Sequence, residues 1–265
     1  MKGAIIQFEP ILGETERNIE KIVAEIEKLD TDFVVLPELA TSGYLFLSMD
    51  EVRPFALKPD DERLKPIYEV AYQKSIMVVL GFPELADDKV YNSSIAILPD
   101  GKFHVYRKTH LFFKEKDAFL PGDTGFFVFD YLGVKFGMMV CFDWFYPESA
   151  RVLAMKGAQV LLHVSNLVLP GMAQKGMVVR SMENRVFSFT ANRIGGEEKG
   201  EISLKFTGMS QVVSPRGEVL SRAAEDLEEV IQMEFNPEEA LNKNITEMNH
   251  IFEDRRPEFY EELCG

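Results

Sequence analysis

The chain alternates short, almost uninterrupted apolar runs with amphipathic stretches, and it does so twice. "GAIIQF" is followed by "ETERNIEKIVAEIEKL", where Ile19, Ile22, Val23, Ile26 and Leu29 recur at helical spacing. "FVVLPE" then forms an apolar run closed by Pro37. A second amphipathic stretch, "ERLKPIYEVAYQKS", leads to "IMVVLGF"; "SSIAIL" and "KFHVYRK" follow, joined by the turn signal "PDG". The second half repeats this order with strand "VKFGMMVCF", helix "PESARVLAMKG", strand "AQVLLHVS", helix "KGMVVRSMENR" and strand "VFSFTAN". "TGMSQVVS" and "GEVLSRA" read as a hairpin around "SPRG", and "EVIQMEF" as one further strand of this unit. Identity between the halves is negligible; what repeats is the order of elements.

Strands that are apolar along their whole length need cover on both faces, which places the connecting helices on a face of each sheet. Two such units packed sheet against sheet give a four-layer α/β architecture, an αββα sandwich of two mixed sheets flanked by helices. One wide doubly wound sheet is the alternative, and the terminal hairpin in each half favours two sheets. No Pro/Gly/Ser-rich linker interrupts residues 1–265, so the chain reads as one domain, with an apolar fraction of 46% ample for its core.

A formal net charge of −14 leaves little basic surface to neutralise phosphates and speaks against a nucleic-acid partner. It is compatible with a small anionic substrate held by one lysine or arginine. The two cysteines, Cys141 and Cys264, fit a reducing compartment and offer no disulfide framework. The N-terminal apolar run is too short for a signal peptide, and no run approaches the roughly 18–20 apolar residues of a membrane span. The expectation is a cytoplasmic protein without a membrane partner.

Cys141 ends an apolar run directly before "FDWFYPES". A lone cysteine there is ordinarily a small core hydrophobe, and the residues at other strand ends change that reading. Active sites of α/β sheets lie beyond the carboxyl ends of parallel strands. Glu38 follows "FVVLP", Lys108 ends "KFHVYR", Asn166 follows "VLLHVS", and Glu115 lies in "HLFFKEKDAFLPG". Taken singly, Glu38 could cap a loop, Lys108 and Glu115 could be solvated charges, and Asn166 could stabilise a turn. Together they form one chemical set. A thiol nucleophile needs a base, a buried carboxylate can take and return that proton, and a fixed ammonium with a backbone N–H stabilises an oxyanion. These groups suffice to attack an amide, carbamoyl or nitrile carbon without a metal or an organic cofactor.

With these residues placed, the chain resembles the nitrilase superfamily of carbon–nitrogen hydrolases over essentially its whole length. "VVLPEL", "YRKTHLF" and "VCFDWFYPES" are similar, in order and spacing, to the segments carrying that family's base, lysine and nucleophile. The resemblance implies Glu38 as general base, Lys108 as oxyanion-stabilising lysine, Cys141 as nucleophile and Glu115 as the second glutamate that positions substrate and lysine. It also implies the Phe142 N–H as second oxyanion donor and an αββα fold. Phe142 and Asp143 after the cysteine are closer to the amidase and carbamoylase branches than to true nitrilases. The expected reaction is hydrolysis of a non-peptide C–N bond of a small linear amide or N-carbamoyl compound through a thioester-type intermediate, releasing ammonia. An aliphatic nitrile is the alternative. Arg193 in "ANRIG" could meet a substrate carboxylate or make a structural salt bridge.

The resemblance further implies a homodimer or a higher homo-oligomer. The tail at about 245–265, including "IFEDRRPEFY", follows an apparently complete second unit, has nothing obvious to pair with in its own subunit, and is expected at that interface. Cys264, beside the C-terminus, is expected to be dispensable. Three rival readings differ in kind. A cysteine–histidine hydrolase would draw on His104, His110, His163 or His250. A catalytically silent binding or scaffold module on the same fold would have lost a residue of the set, and none is lost. A metal hydrolase lacks its mark, since no H-x-H, H-E-x-x-H or C-x-x-C occurs.

Overall fold

The first half of the computed structural model, which describes residues 1–264 without the Cys264 side chain, runs β1 (Lys2–Gln7), α1 (Thr15–Ile26), β2 (Phe33–Val35), α2 (Met49–Val52), α3 (Lys65–Lys74), β3 (Met77–Ala86), β4 (Lys89–Ile97), β5 (Phe103–Arg107) and α4 (Glu115–Ala118). The second half runs β6 (Val128–Tyr131), β7 (Val134–Val140), α5 (Pro147–Met155), β8 (Val160–Val164), α6 (Met172–Asn184) and β9 (Phe187–Ala191). It continues with β10 (Gly196–Lys199), β11 (Ile202–Lys205), β12 (Gln211–Val213), β13 (Val219–Arg222) and β14 (Glu229–Glu234), followed by a small hairpin of β15 (Asn244–Thr246) and β16 (Asn249–His250).

Two six-stranded mixed sheets result, ordered β14-β1-β2-β3-β4-β5 and β13-β12-β9-β8-β7-β6. β1–β2–β3 and β7–β8–β9 are parallel, and the outer strands of each sheet are antiparallel. The period-2 alternation of a strand decides the layers. Phe33 and Val35 of β2 join Phe136, Met138 and Phe189 between the sheets, while Val34 joins Ile22 and Ile26 of α1 and Ile67 and Val70 of α3 outside. Phe33 meets Phe136 edge-on at 5.3 Å and Phe189 at 4.9 Å, fastening sheet to sheet. The αββα sandwich follows.

Two expectations are corrected. β14 does not extend the second unit: it crosses to the first sheet, pairing antiparallel with β1 from Lys2↔Glu234 to Gln7↔Glu229. The second sheet is completed instead by β6, a four-residue segment, Val128–Tyr131, with Phe129 and Tyr131 buried and Asp130 exposed between them, too short to stand out in the sequence. The tail also finds partners in its own subunit. Just ahead of it, Lys243 Nζ donates to the carbonyls of Asn184 (3.0 Å) and Arg185 (2.8 Å), closing the C-terminus of α6. The Arg151 guanidinium lies 5.4 Å from the centre of the Phe252 ring. Beyond that, Phe259 and Leu263 are exposed, and Gly265 lies outside the described residues.

No helix is long and apolar enough to cross a membrane among the described residues.

Candidate active site

Glu38 reaches the interior because the chain after β2 keeps running along β3. The Leu36 N–H donates to the Val79 carbonyl (2.8 Å), Gly81 N–H to Pro37 (2.9 Å), and Ala40 N–H to Gly81 (2.8 Å). A Cβ at Gly81 would stand 2.4 Å from Glu38 Cα, so only glycine admits this approach. Lys108 follows β5 directly, its N–H donating to the Asn92 carbonyl (2.8 Å). Its own carbonyl accepts from Gly122 N–H (2.9 Å), where a Cβ would stand 2.1 Å from the Arg107 oxygen. Glu115 opens the short α4.

Cys141 follows β7 as the first residue of a 3-10 turn, Cys141–Phe145, with φ +41°. A non-glycine residue is strained there and stays only where its surroundings over-determine it. The buried Asp143 carboxylate does much of that. It accepts from Val140 N–H (2.9 Å), Tyr106 O–H (2.8 Å) and His110 N–H (3.2 Å), and meets His110 Nδ1 at 2.8 Å. From β8, His163 Nε2 lies 2.9 Å from the Cys141 carbonyl. The turn also leaves the Phe142 N–H in a first helical turn, where backbone donors have no intrahelical acceptor.

Glu38, Lys108 and Glu115 converge in full burial. Lys108 Nζ donates to Glu38 Oε1 (2.8 Å) and to Glu115 Oε1 (2.7 Å). Glu38 Oε1 also accepts from Asn92 Nδ2 (2.7 Å), and Glu115 accepts from Tyr44 O–H (2.7 Å) and Phe112 N–H (3.2 Å). Among the described residues Glu38 Oε2 has no partner. The Cys141 thiol donates only weakly, to the Asn166 carbonyl at 3.8 Å.

Burial, reinforced by the Glu38 charge, pushes the Cys141 thiol well above the ordinary thiol range, against the opposing pull of Lys108. The thiol therefore rests neutral and needs a base. Burial also works against the Lys108 ammonium, but Glu115 and Glu38 outweigh it and keep the side chain charged. Glu115 is lifted to about 7 by burial, with Lys108 opposing and Glu38 adding to the rise.

Asn166 is 2% exposed, lines the cavity beside Cys141, and has neither side-chain oxygen nor nitrogen bonded among the described residues. Phe142 lines the same cavity. Asp143 and Arg193 do not: Asp143 is spent on the turn, and the buried Arg193 pairs with Glu197 and donates to the carbonyls of Pro10 (3.0 Å) and Ile194 (3.2 Å). The salt-bridge reading of Arg193 is the one that fits. No histidine approaches the Cys141 sulfur within bonding distance among the described residues: His163 holds the backbone oxygen, His110 holds Asp143, and His104 stacks on Phe129 at 4.4 Å. No group of three or more His, Cys, Asp or Glu is placed to hold a metal ion among the described residues.

Sequence reading missed Asn92 and Tyr44, which bond the two glutamates. The one available signal was the polar triplet Asn92–Ser93–Ser94 inside an apolar strand.

A buried Glu–Lys–Glu cluster facing a cysteine on a strained turn, between two packed sheets, defines a class of cysteine hydrolases, and comparison with known proteins agrees. The chain belongs to the carbon–nitrogen hydrolase family, whose model matches residues 4–241, and so to the nitrilase superfamily. It is 45% identical over 264 residues to a protein of Pyrococcus abyssi named nitrilase, covering 98% of this chain and 99% of that one. It is 31% identical to an (R)-stereoselective amidase of a Pseudomonas species, covering 92% and 89%. A crystal structure of a carbon–nitrogen hydrolase from Helicobacter pylori superposes with a TM-score of 0.90 at 27% identity, covering 99% and 97%. The chain is a carbon–nitrogen hydrolase.

Proposed function

We propose that the protein hydrolyses a small linear amide or N-carbamoyl compound, with Cys141 as nucleophile and Glu38 as general base. The observation that carries this is the division of labour on Glu38: Oε1 is held by Lys108 and Asn92, while Oε2 is buried and unbonded among the described residues. Oε2 takes the thiol proton as sulfur attacks the carbonyl carbon. The oxyanion is held by Lys108 Nζ and the Phe142 N–H. Glu38 returns the proton to nitrogen, the C–N bond breaks, ammonia leaves, and a thioester or thiocarbamate remains on Cys141. Glu38 then removes a proton from water, which attacks the same carbon. The C–S bond breaks, the acid or carbamate leaves, and the thiol regains its proton.

The test is intact-mass spectrometry during turnover. Wild type should carry an adduct of the acyl mass, Cys141→Ala should be folded and silent, and Glu38→Gln should slow both acylation and deacylation. Ammonia release by folded Cys141→Ala would overturn the mechanism. Nitrile hydrolysis is the second reading, favoured by the 45% identical relative named nitrilase. The same cysteine would add to the nitrile carbon and form a thioimidate, and ammonia release from a nitrile but from no amide would establish that reading.

The active form is proposed as a homodimer. The α5–α6 layer exposes Val152, Met155, Met172, Val179 and Met182, whereas the α1–α3 layer exposes one large apolar residue, Tyr72. An apolar face confined to one helix layer suits a two-fold, self-complementary contact with a second copy, in which the Phe259–Leu263 tail takes part. A monomer by light scattering at micromolar concentration would refute this.

A further inference from the structure

Among the described residues, the cavity beside Cys141 has no charged side chain in its lining. Its walls are Phe112, Phe142, Trp144, Leu167, Leu169 and Ala173, and besides the thiol and the Trp144 indole N–H its polar lining side chain is the uncharged amide of Asn166. The charges behind it are spoken for. Lys108 is bonded to both Glu38 and Glu115 and has one N–H left, for the oxyanion of the reacting carbon, and Arg193 gives its donors to Glu197, Pro10 and Ile194. Lys205, Glu225 and Asp226 line a neighbouring groove that meets the cavity at Val168, and all three are exposed to solvent. The ring beside the nucleophile, Phe142, is stacked on Phe145 at 5.4 Å and meets Phe112 at 5.0 Å, so aromatic neighbours occupy it.

Resting on the hydrolase reading above, we propose that the acyl group accepted at Cys141 is short, apolar and uncharged, and that the Asn166 side chain bonds the polar edge of the amide being cleaved. A carboxylate or ammonium entering this cavity would surrender its water and receive no counter-charge. A neutral amide-bearing substrate surrenders far less, and its polar edge can bond the Asn166 Nδ2 donor and Oδ1 acceptor, which are buried and unpartnered among the described residues. The cavity, about 20 Å³, has room for one small group.

The test uses three amides of matched length: butyramide, succinamate and β-alaninamide, whose far ends are methyl, carboxylate and ammonium. Ammonia release gives kcat/KM, and ligand-observed NMR on Cys141→Ala gives binding without turnover. The expected result is a kcat/KM for butyramide roughly 100-fold above both charged analogues, with the same order in binding. Asn166→Leu should raise KM for butyramide about tenfold, with a smaller change in kcat. A charged analogue turned over or bound better than butyramide overturns this inference and leaves Cys141 hydrolysis standing. Ammonia from none of the three, with butyramide bound best, overturns the amide-hydrolysis reading and supports the pocket assignment. Failure of butyramide to bind overturns the inference, and an unchanged KM in Asn166→Leu removes Asn166 from it.

Discussion

Replacing Lys108 by methionine keeps most of its volume and deletes one ammonium. In the native site that ammonium lies 2.8 Å from Glu38 and 2.7 Å from Glu115, with all three side chains buried. Deleting one partner of a buried ion pair costs about 3–5 kcal/mol, because the remaining charge stays buried and uncompensated. Here two carboxylates are left. Lys108 now opposes the rise of Glu115, so without it the carboxyl climbs beyond about 7. The sign follows from linkage: a carboxyl raised in the folded state contributes stability that is present at low pH and lost as pH rises through its folded value. Urea unfolding of wild type and Lys108→Met at pH 5, 6, 7 and 8 should show a difference near 3–5 kcal/mol at pH 8 that is smaller at pH 7 and level from there to pH 5, because the two Glu115 values diverge only above about 7. Turnover should fall by at least the roughly 100- to 1,000-fold typical of losing one oxyanion donor. A destabilisation that grows on acidification, or one below about 1 kcal/mol at pH 8, would refute Lys108 as counter-charge to both glutamates.

Asn92→Leu should lower kcat/KM roughly 10- to 150-fold, matching about 1.5–3 kcal/mol for a hydrogen bond to a charged group. The pH profile of Cys141 alkylation should move with it; an unmoved profile would leave Asn92 with a packing role only. Burial holds His163 neutral down to about 4. The unfolded chain takes up that proton near pH 6.5, so stability present above pH 6.5 is lost as pH falls toward 4, by about 3 kcal/mol for this residue. His163→Gln should therefore flatten the acid limb of urea stability between pH 7 and pH 4, and parallel curves would count against it.

Much of the molecule was legible in the chain because local physics decides it. Continuous apolar strands and helical periodicity located nearly every element of both sheets, and strand ends located Glu38, Lys108 and Cys141, which do converge with Glu115. What escaped depends on distant pairing. Nothing in "EVIQMEF" says that its neighbour is Lys2–Gln7 rather than "GEVLSRA", because a strand's period fixes its faces and not its partner. Asp143 and Arg193 escaped for a related reason. A polar residue beside a nucleophile looks like a substrate contact until its own bonds are counted, and here those bonds run to Tyr106, His110, Val140, Glu197 and Pro10. Asn92 and Tyr44 looked like ordinary strand and loop residues because the glutamates they bond lie far away in sequence.

The crossing of β14 to β1 also sets a timetable for synthesis. At about 5–20 residues per second, a ribosome takes roughly ten to fifty seconds between making Lys2–Gln7 and making Glu229–Glu234. Throughout that interval β1 has β2 on one side and an open row of backbone donors and acceptors on the other, the kind of edge that recruits foreign strands. The first six-stranded sheet thus stays unfinished until almost the entire chain has emerged, even though its helices and other strands come first. A nascent chain arrested before Glu229 should be the aggregation-prone form of this protein, and a soluble peptide spanning Glu229–Phe235 should protect it by occupying that edge.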